Sequence, residues 1–283
     1  MVPARKLLGA TGFILASFFF TTCATETSAR SPTPPNRGLY DLAPLDDPSI
    51  ARCYWLDRSR PFVFQESHHI RGYFSPTDLA SYRDALPAPF TLPDKLSLRP
   101  MIRVAFSDHH DMAEGPAHRE AEVAMLGMDG AQPGWVVLTS PVTNGAACIA
   151  GRQLLGLPRI VRRVTLERST GRHVGRVYAV GGERPLATLT VDTGDPVEST
   201  RELLRQYGLY PQFALLSGRV LKYVDPGLSY AELAHRADYE IKLGRARLDV
   251  SPEPDNLLRR LGVGAPLAAH WSRIRARYTI TPM

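Results

Sequence analysis

Cysteine is scarce in this 283-residue chain, which carries only Cys23, Cys53 and Cys148. Three thiols give no disulfide framework and no paired-cysteine spacing of the kind that holds structural zinc. His-Glu-x-x-His, which sets two zinc ligands on one helix face, is missing, and so is Gly-x-Ser-x-Gly, the sharp turn that presents a hydrolase serine. "GVGAP" and "GG" are isolated turns, too little for a phosphate cradle. Lysine is scarce as well, with only Lys6, Lys95, Lys222 and Lys242. Most of the positive charge is therefore arginine, which does not deprotonate in proteins and supplies no amine nucleophile. The formal charge of +6 is spread along the chain and not gathered in runs, so nucleic acid is not an expected partner.

What is present begins with an N-terminal signal. Arg5 and Lys6 precede an apolar run from Leu7 to Phe20, too short to span a bilayer comfortably, and a polar exit, "TTCATETSAR", follows. Residues 1–22 read as an export signal. Cys23 stands where a bacterial lipoprotein signal places its lipidated cysteine, which implies membrane attachment through a lipid anchor in the cell envelope. Simple cleavage near Ala24 or Ala29, or an uncleaved anchor, is the alternative. Residues 23–40 are polar and proline-rich, an extended tether. The globular domain is expected over 41–283, with no second linker and no repeat.

Twenty-four prolines spread among short apolar runs favour strands and turns over a helical bundle. Strands are expected at "PFVFQESHHIRGYF", "LSLRPMIRVAFSD", "REAEVAMLGM", "GWVVLTSPV", "RIVRRVTLER", "GRHVGRVYAVGG", "RPLATLTVDTG", "SGRVLKYV", "YEIKLGRARLDV" and "ARYTITPM". Helices are expected at "SPTDLASYRDALP", capped by Ser75 or Thr77 with Leu79, Tyr82 and Leu86 on one face, and at "NGAACIAGRQLLG", ending at Gly156. "PVESTRELLRQYG" and "DNLLRRLGV" complete the helices. The fold class is α+β, a mostly antiparallel β-barrel or sandwich with a few peripheral helices.

Among polar clusters, "SDHHDMAEGPAHRE" reads as a loop of exposed histidines, and no metal is expected there. Neighbours such as His109 and His110 point to opposite faces of a strand and do not converge on one ion. The arginines of "RIVRRVTLER" alternate with apolar residues as one solvated strand face. Cys148 reads as a small buried hydrophobe, with a bridge to Cys53 left open.

The order of these segments resembles the acetoacetate decarboxylase family. The similarity begins near "PFVF", passes through "YFSPTDLASYRDALPAPF" and is most specific at "NGAACIAGRQLLGLPR". There Gly151, Arg152, Gly156 and Pro158 match the family's Gly-Arg-Glu-x-x-Gly-(Phe/Tyr)-Pro-Lys-Lys. "LLSGRVLKYV" and "YEIKLGRARLDV" resemble later family strands, so the likeness runs from about residue 60 to 282. It implies a closed β-barrel enclosing a largely apolar pocket for a keto acid, with no cofactor. In the family the first lysine after the motif proline forms a Schiff base with the ketone. The second lowers the first one's pKa, a nucleophile activation for which this family is a known instance.

Here those two positions are Arg159 and Ile160. The resemblance thus implies the fold without the amine chemistry, unless Lys222, on a strand, replaces the nucleophile. By alignment with the family, Glu120 matches a carboxylate placed near the lysine, and Arg71 matches a family arginine. A second family acid falls at Ala105 and is missing. Arg159, Glu120 and Arg71 are the candidate ligand-binding residues, Arg159 as a planar fork for a carboxylate or as a structural partner of Glu120. The expected activity is binding of a small carboxylate or keto-acid-like molecule. A divergent lyase, of decarboxylase or hydratase type, using Glu120 and Arg159 non-covalently is the alternative, and a homo-oligomer is left open.

Overall fold

The computed structural model describes residues 63–93, 98–112, 117–194, 200–207, 210–216, 219–223 and 239–277. The expected export signal, the tether, the start of the domain, Cys23, Cys53 and Lys95 lie outside the described residues.

Long strands dominate. β1 (Val63–Pro76), β2 (Ile102–Met112), β3 (His118–Asp129) and β4 (Gln132–Val142) follow one another as antiparallel neighbours. Helix α1 (Leu79–Ala85) sits between β1 and β2. Its N-cap is Asp78, whose carboxylate accepts from the amides of Ala80 and Ser81, in place of the expected Ser75 or Thr77. Tyr82 and Leu86 are buried as expected, but Leu79 is exposed. The Tyr82 hydroxyl donates toward the Met101 and Leu126 carbonyls, so the helix is fixed to the sheet through a buried polar tip.

After β4 the chain enters helix α2 (Gly145–Leu155). Asn144 caps its start by accepting from the Ala147 amide at 2.7 Å, and Gly156 ends it at φ +60°, a left-handed conformation glycine adopts without strain. The chain then returns as β5 (Arg159–Val161), parallel to β4. A parallel return needs a crossover, and α2 is that crossover. The expected single strand over 159–168 is therefore two: β5, and β6 (Val164–Ser169), which pairs with β7 (Arg172–Tyr178). β8 (Pro185–Asp192), α3 (Thr200–Tyr207), β9 (Gln212–Leu216), β10 (Arg219–Tyr223), β11 (Tyr239–Val250), the short helix α4 (Leu257–Arg260) and β12 (Val263–Arg277) complete the described chain.

The twelve strands among the described residues belong to one sheet, ordered β10-β9-β4-β3-β2-β1-β12-β11-β8-β7-β6, with β5 beside β4. It curls strongly, so that β6 and β7 pack over β2 and β3: Gly175 lies against the Phe106 ring, where an added Cβ would come within 2.3 Å of the ring carbon Cγ. Two expectations are corrected. The ends of the path, β10 and β6, do not pair among the described residues, so the sheet is a half-barrel and not a closed barrel. Pairing is mixed, because β4 runs parallel to both β5 and β9.

Alternation along the strands sorts the core. Val104, Phe106, Ala121 and Val123 turn to the apolar side that β6, β7 and β8 cover, where Leu166 and Leu189 meet them. Arg103, Ala124, Leu126 and Trp135 turn to the other side, against Leu204 and Tyr207 of α3. Burial of both faces drives folding, at about 25 cal/mol per Å² of apolar surface. No helix among the described residues is long and apolar enough to cross a membrane.

Candidate functional site

The second side of the sheet carries a buried polar strip. Register sets it in rows: His69 of β1 is opposite Ser107 of β2, which is opposite Glu120 of β3. The next row is Arg71, Ala105 and Glu122. Ala105, where the resemblance lacks an acid, thus lies between an arginine and a glutamate, and Glu122 is held instead by Arg103 at 2.6 Å. His109 and His118 face each other in the row beyond.

A register shift in the β3·β4 pairing, between Val123 and Ala124, brings Ser140 onto this polar side. Ser140 pairs in turn with Arg159 of β5. The result is a compact constellation. Glu120 Oε2 accepts from Arg159 Nη2 at 2.6 Å, and Glu120 Oε1 accepts from the Ser140 hydroxyl at 2.5 Å. Arg159 Nη1 donates to the Ala147 carbonyl of α2 at 2.8 Å. Gly151 makes room for the guanidinium: a Cβ there would stand 2.1 Å from Arg159 Cδ. The motif glycine is thus required by the arginine it packs against.

Glu120 and Arg159 are both about nine-tenths buried. Two sequence expectations change accordingly. Arg159 is not part of a solvated strand face, although Arg163 and Arg168 are exposed. Nor are the histidines of this stretch all exposed: His109 and His118 are buried on β2 and β3, while His110 is exposed and stacks on His68. Pairing with strands distant in sequence buries these polar groups, and local composition carries no trace of it. His109 Nε2 lies 4.0 Å from Glu120 Oε2, and its Nδ1 shares a 2.9 Å hydrogen bond with Ser67. Burial first, then the proximity of His118, His69 and Arg159, holds His109 well below the ordinary imidazole range, so it is neutral.

On the apolar side, between β3, β5, β7 and α4, opens a cavity of about 700 Å³. Its walls include Phe106, Leu138, Ile160, Arg162, Asn256 and Leu258. Arg159 and Glu120 are not among the lining residues, because alternation along β5 turns Ile160 to the cavity and Arg159 to α2. Sequence reasoning did not single out Arg162. The available signal was strand period: 160 and 162 share a face.

Neither described lysine reaches the cavity or the Glu120–Arg159 pair. Lys222 donates to Gln132 Oε1 at 2.7 Å on the surface. Lys242 is exposed, 3.0 Å from Glu240 and over the Trp271 ring. Cys148 is a free, fully buried thiol against the Arg159 carbonyl, and burial raises its pKa.

No curated protein matches this sequence. Solved structures do. An acetoacetate decarboxylase superposes with a TM-score of 0.57 at 17% identity, covering 79% of this chain and 90% of its own. The acetoacetate decarboxylase from Legionella pneumophila subsp. pneumophila str. Philadelphia 1 gives 0.60 at 14% identity, covering 90% and 98%. The enduracididine biosynthesis enzyme MppR, complexed with the condensation product of pyruvate and imidazole 4-carboxaldehyde, gives 0.51 at 12% identity, covering 78% and 90%. At these identities the likeness speaks for the fold. The sequence itself matches the family model of acetoacetate decarboxylase over residues 63–281. This chain belongs to the acetoacetate decarboxylase family.

Proposed function

We propose that this protein binds a small carboxylate with an apolar body, of keto-acid type, in its cavity and without Schiff-base chemistry. The observation that carries the reading is the wall of that cavity at β5. Ile160 and Arg162 stand there, and no lysine is among the described lining residues. The cavity is largely apolar, its lining also holds Glu122, Glu253 and Asp255, and its size suits a small organic ligand. Arg162 supplies a planar cation for a carboxylate, and Asn256 a second polar group. The family includes members that are not decarboxylases, and MppR, of the same fold, has been captured with pyruvate. Calorimetric titration with acetoacetate and pyruvate tests the reading. Saturable binding that weakens in Arg162→Gln, with no borohydride-trapped adduct by intact mass, is expected. A covalent adduct on any lysine would overturn it.

One observation favours a second reading, a lyase working non-covalently through Glu120 and Arg159. Neutral His109 lies beside that carboxylate, and Arg71 lies in the adjoining row. Turnover of a keto acid that disappears in Glu120→Gln would establish it. We also propose that the protein is exported and anchored through a lipid on Cys23, on the strength of the basic, apolar and polar segments that precede and surround this residue.

A further inference from the structure

The polar strip holds a second constellation that the ligand reading does not use. His109 and His118 face each other across the β2·β3 pair, and Glu120 follows His118 by two residues, on the same face. Their ring centroids are 4.8 Å apart. One ligand atom from each of the three residues lies within 4.8 Å of the other two, and all three residues are buried. Two imidazoles and one carboxylate are a donor set that divalent transition ions take, with a position left for water.

We propose that His109, His118 and Glu120 form a binding site for a divalent transition-metal ion, for which Zn²⁺ is the natural probe. Around a tetrahedral ion with bonds near 2.0–2.1 Å, ligand atoms stand roughly 3.4 Å apart. Closing the site from the present separations asks side-chain shifts on the order of 1 Å, within reach of rotations about χ2 of the two rings. The supporting contacts are already made. The Ser67 hydroxyl holds His109 Nδ1 at 2.9 Å, which leaves Nε2 directed at Glu120. Ser140 and Arg159 fix the two Glu120 oxygens. Hydrogen bonds of this kind orient metal ligands, and a carboxylate oxygen that accepts one still has a second lone pair to give. The inference goes beyond the cavity reading and stands independently of it, since cavity and cluster lie on opposite sides of the sheet.

The test uses the full chain, stripped with a chelator and titrated with Zn²⁺. Calorimetry is expected to show one equivalent bound, with a rise in melting temperature. Co²⁺ in its place is expected to give the visible absorption of a low-coordinate ion. His118→Ala and Glu120→Gln are each expected to weaken Zn²⁺ binding by about tenfold or more. His68 and His110 lie instead against Glu66, at 2.9 and 3.9 Å, and His68→Ala and His110→Ala should leave the binding unchanged. Glu120→Gln keeps the side chain's shape while removing its charge, and circular dichroism of every variant separates loss of a ligand from loss of fold. Absence of binding at 100-micromolar-scale Zn²⁺, about the weak end for a specific site, would overturn the proposal. So would binding that survives His118→Ala and Glu120→Gln in folded protein, or that His110→Ala removes.

Discussion

Glu120 and Arg159 meet at 2.6 Å across an intervening strand, with Ser140 of that strand bonded to the same carboxylate. The pair joins β3 to β5 and, through the Ala147 carbonyl, to the helix above them. Removing one member of a buried pair strands a charge in a low-dielectric site and costs about 3–5 kcal/mol. Glu120→Gln and Arg159→Met are each expected to lower stability by that order, while the double variant loses much less than the sum. Urea unfolding of the four proteins in a double-mutant cycle checks the coupling.

Gly151 gives a second handle on the same contact. Its Cα faces the Arg159 side chain so closely that Gly151→Ala forces the guanidinium out of place. A loss of about 2–4 kcal/mol is expected, made up of overpacking and a weakened ion pair. In an Arg159→Ala background the three atoms nearest the added Cβ are gone, and the same substitution should cost less. Equal costs in both backgrounds would show that the glycine serves some other purpose.

Much of this architecture was readable in the sequence, and the limits are instructive. Asn144 and Gly156 bracket α2 because capping is local chemistry, and Gly151, Arg152, Gly156 and Pro158 carried the family resemblance. The direction of Arg159 was not legible. Residues 159–168 alternate as one strand would, but the chain breaks at Arg162 and Arg163, and β5 belongs with β4 through a helical crossover. Glu120, His109 and His118 sit in or beside a stretch that reads as a loop. Their burial comes from pairing with partners such as Arg159, far away in sequence. Closure of the barrel depends on the last register at each sheet end, which strand periodicity does not encode.

His173 makes stability depend on pH. Its ring stacks on Trp271 at 5.2 Å, and burial together with Lys242, His68 and Arg168 pushes its pKa down to about 4. In the unfolded chain it titrates near 6.5. Below that value the unfolded state takes up the proton while the folded state does not, so the contribution is complete above about pH 6.5 and is lost as pH falls toward 4. The interval is worth roughly 3 kcal/mol at most. His173→Leu, which cannot titrate, is expected to make the stability profile shallower between pH 4 and 6.5, with buried His109 and His270 still contributing, measured by chemical unfolding at each pH.

Lipidation at Cys23 predicts incorporation of labelled palmitate in a bacterial host and recovery of the protein in the membrane fraction. Cys23→Ala should abolish both. Retained membrane attachment without label would point instead to an uncleaved apolar anchor formed by Leu7 to Phe20.

The side-chain directions on β5 predict which single lysine restores covalent chemistry. Arg159→Lys puts an amine beside Glu120, on the side away from the cavity, where the carboxylate keeps it protonated and non-nucleophilic. Ile160→Lys puts the amine in the wall of the 700 Å³ cavity, among Phe106, Leu138 and Leu258. Apolar surroundings and Arg162 nearby disfavour the charged form and lower the lysine pKa, against the opposing pull of Glu122, Glu253 and Asp255 in the same lining. Incubation with acetoacetate and borohydride, followed by intact mass, is therefore expected to show an adduct on Ile160→Lys and none on Arg159→Lys or the unmodified sequence. The reverse pattern would mean that substrates reach the polar side of the sheet, and would move the binding site from the cavity to the Glu120–Arg159 pair.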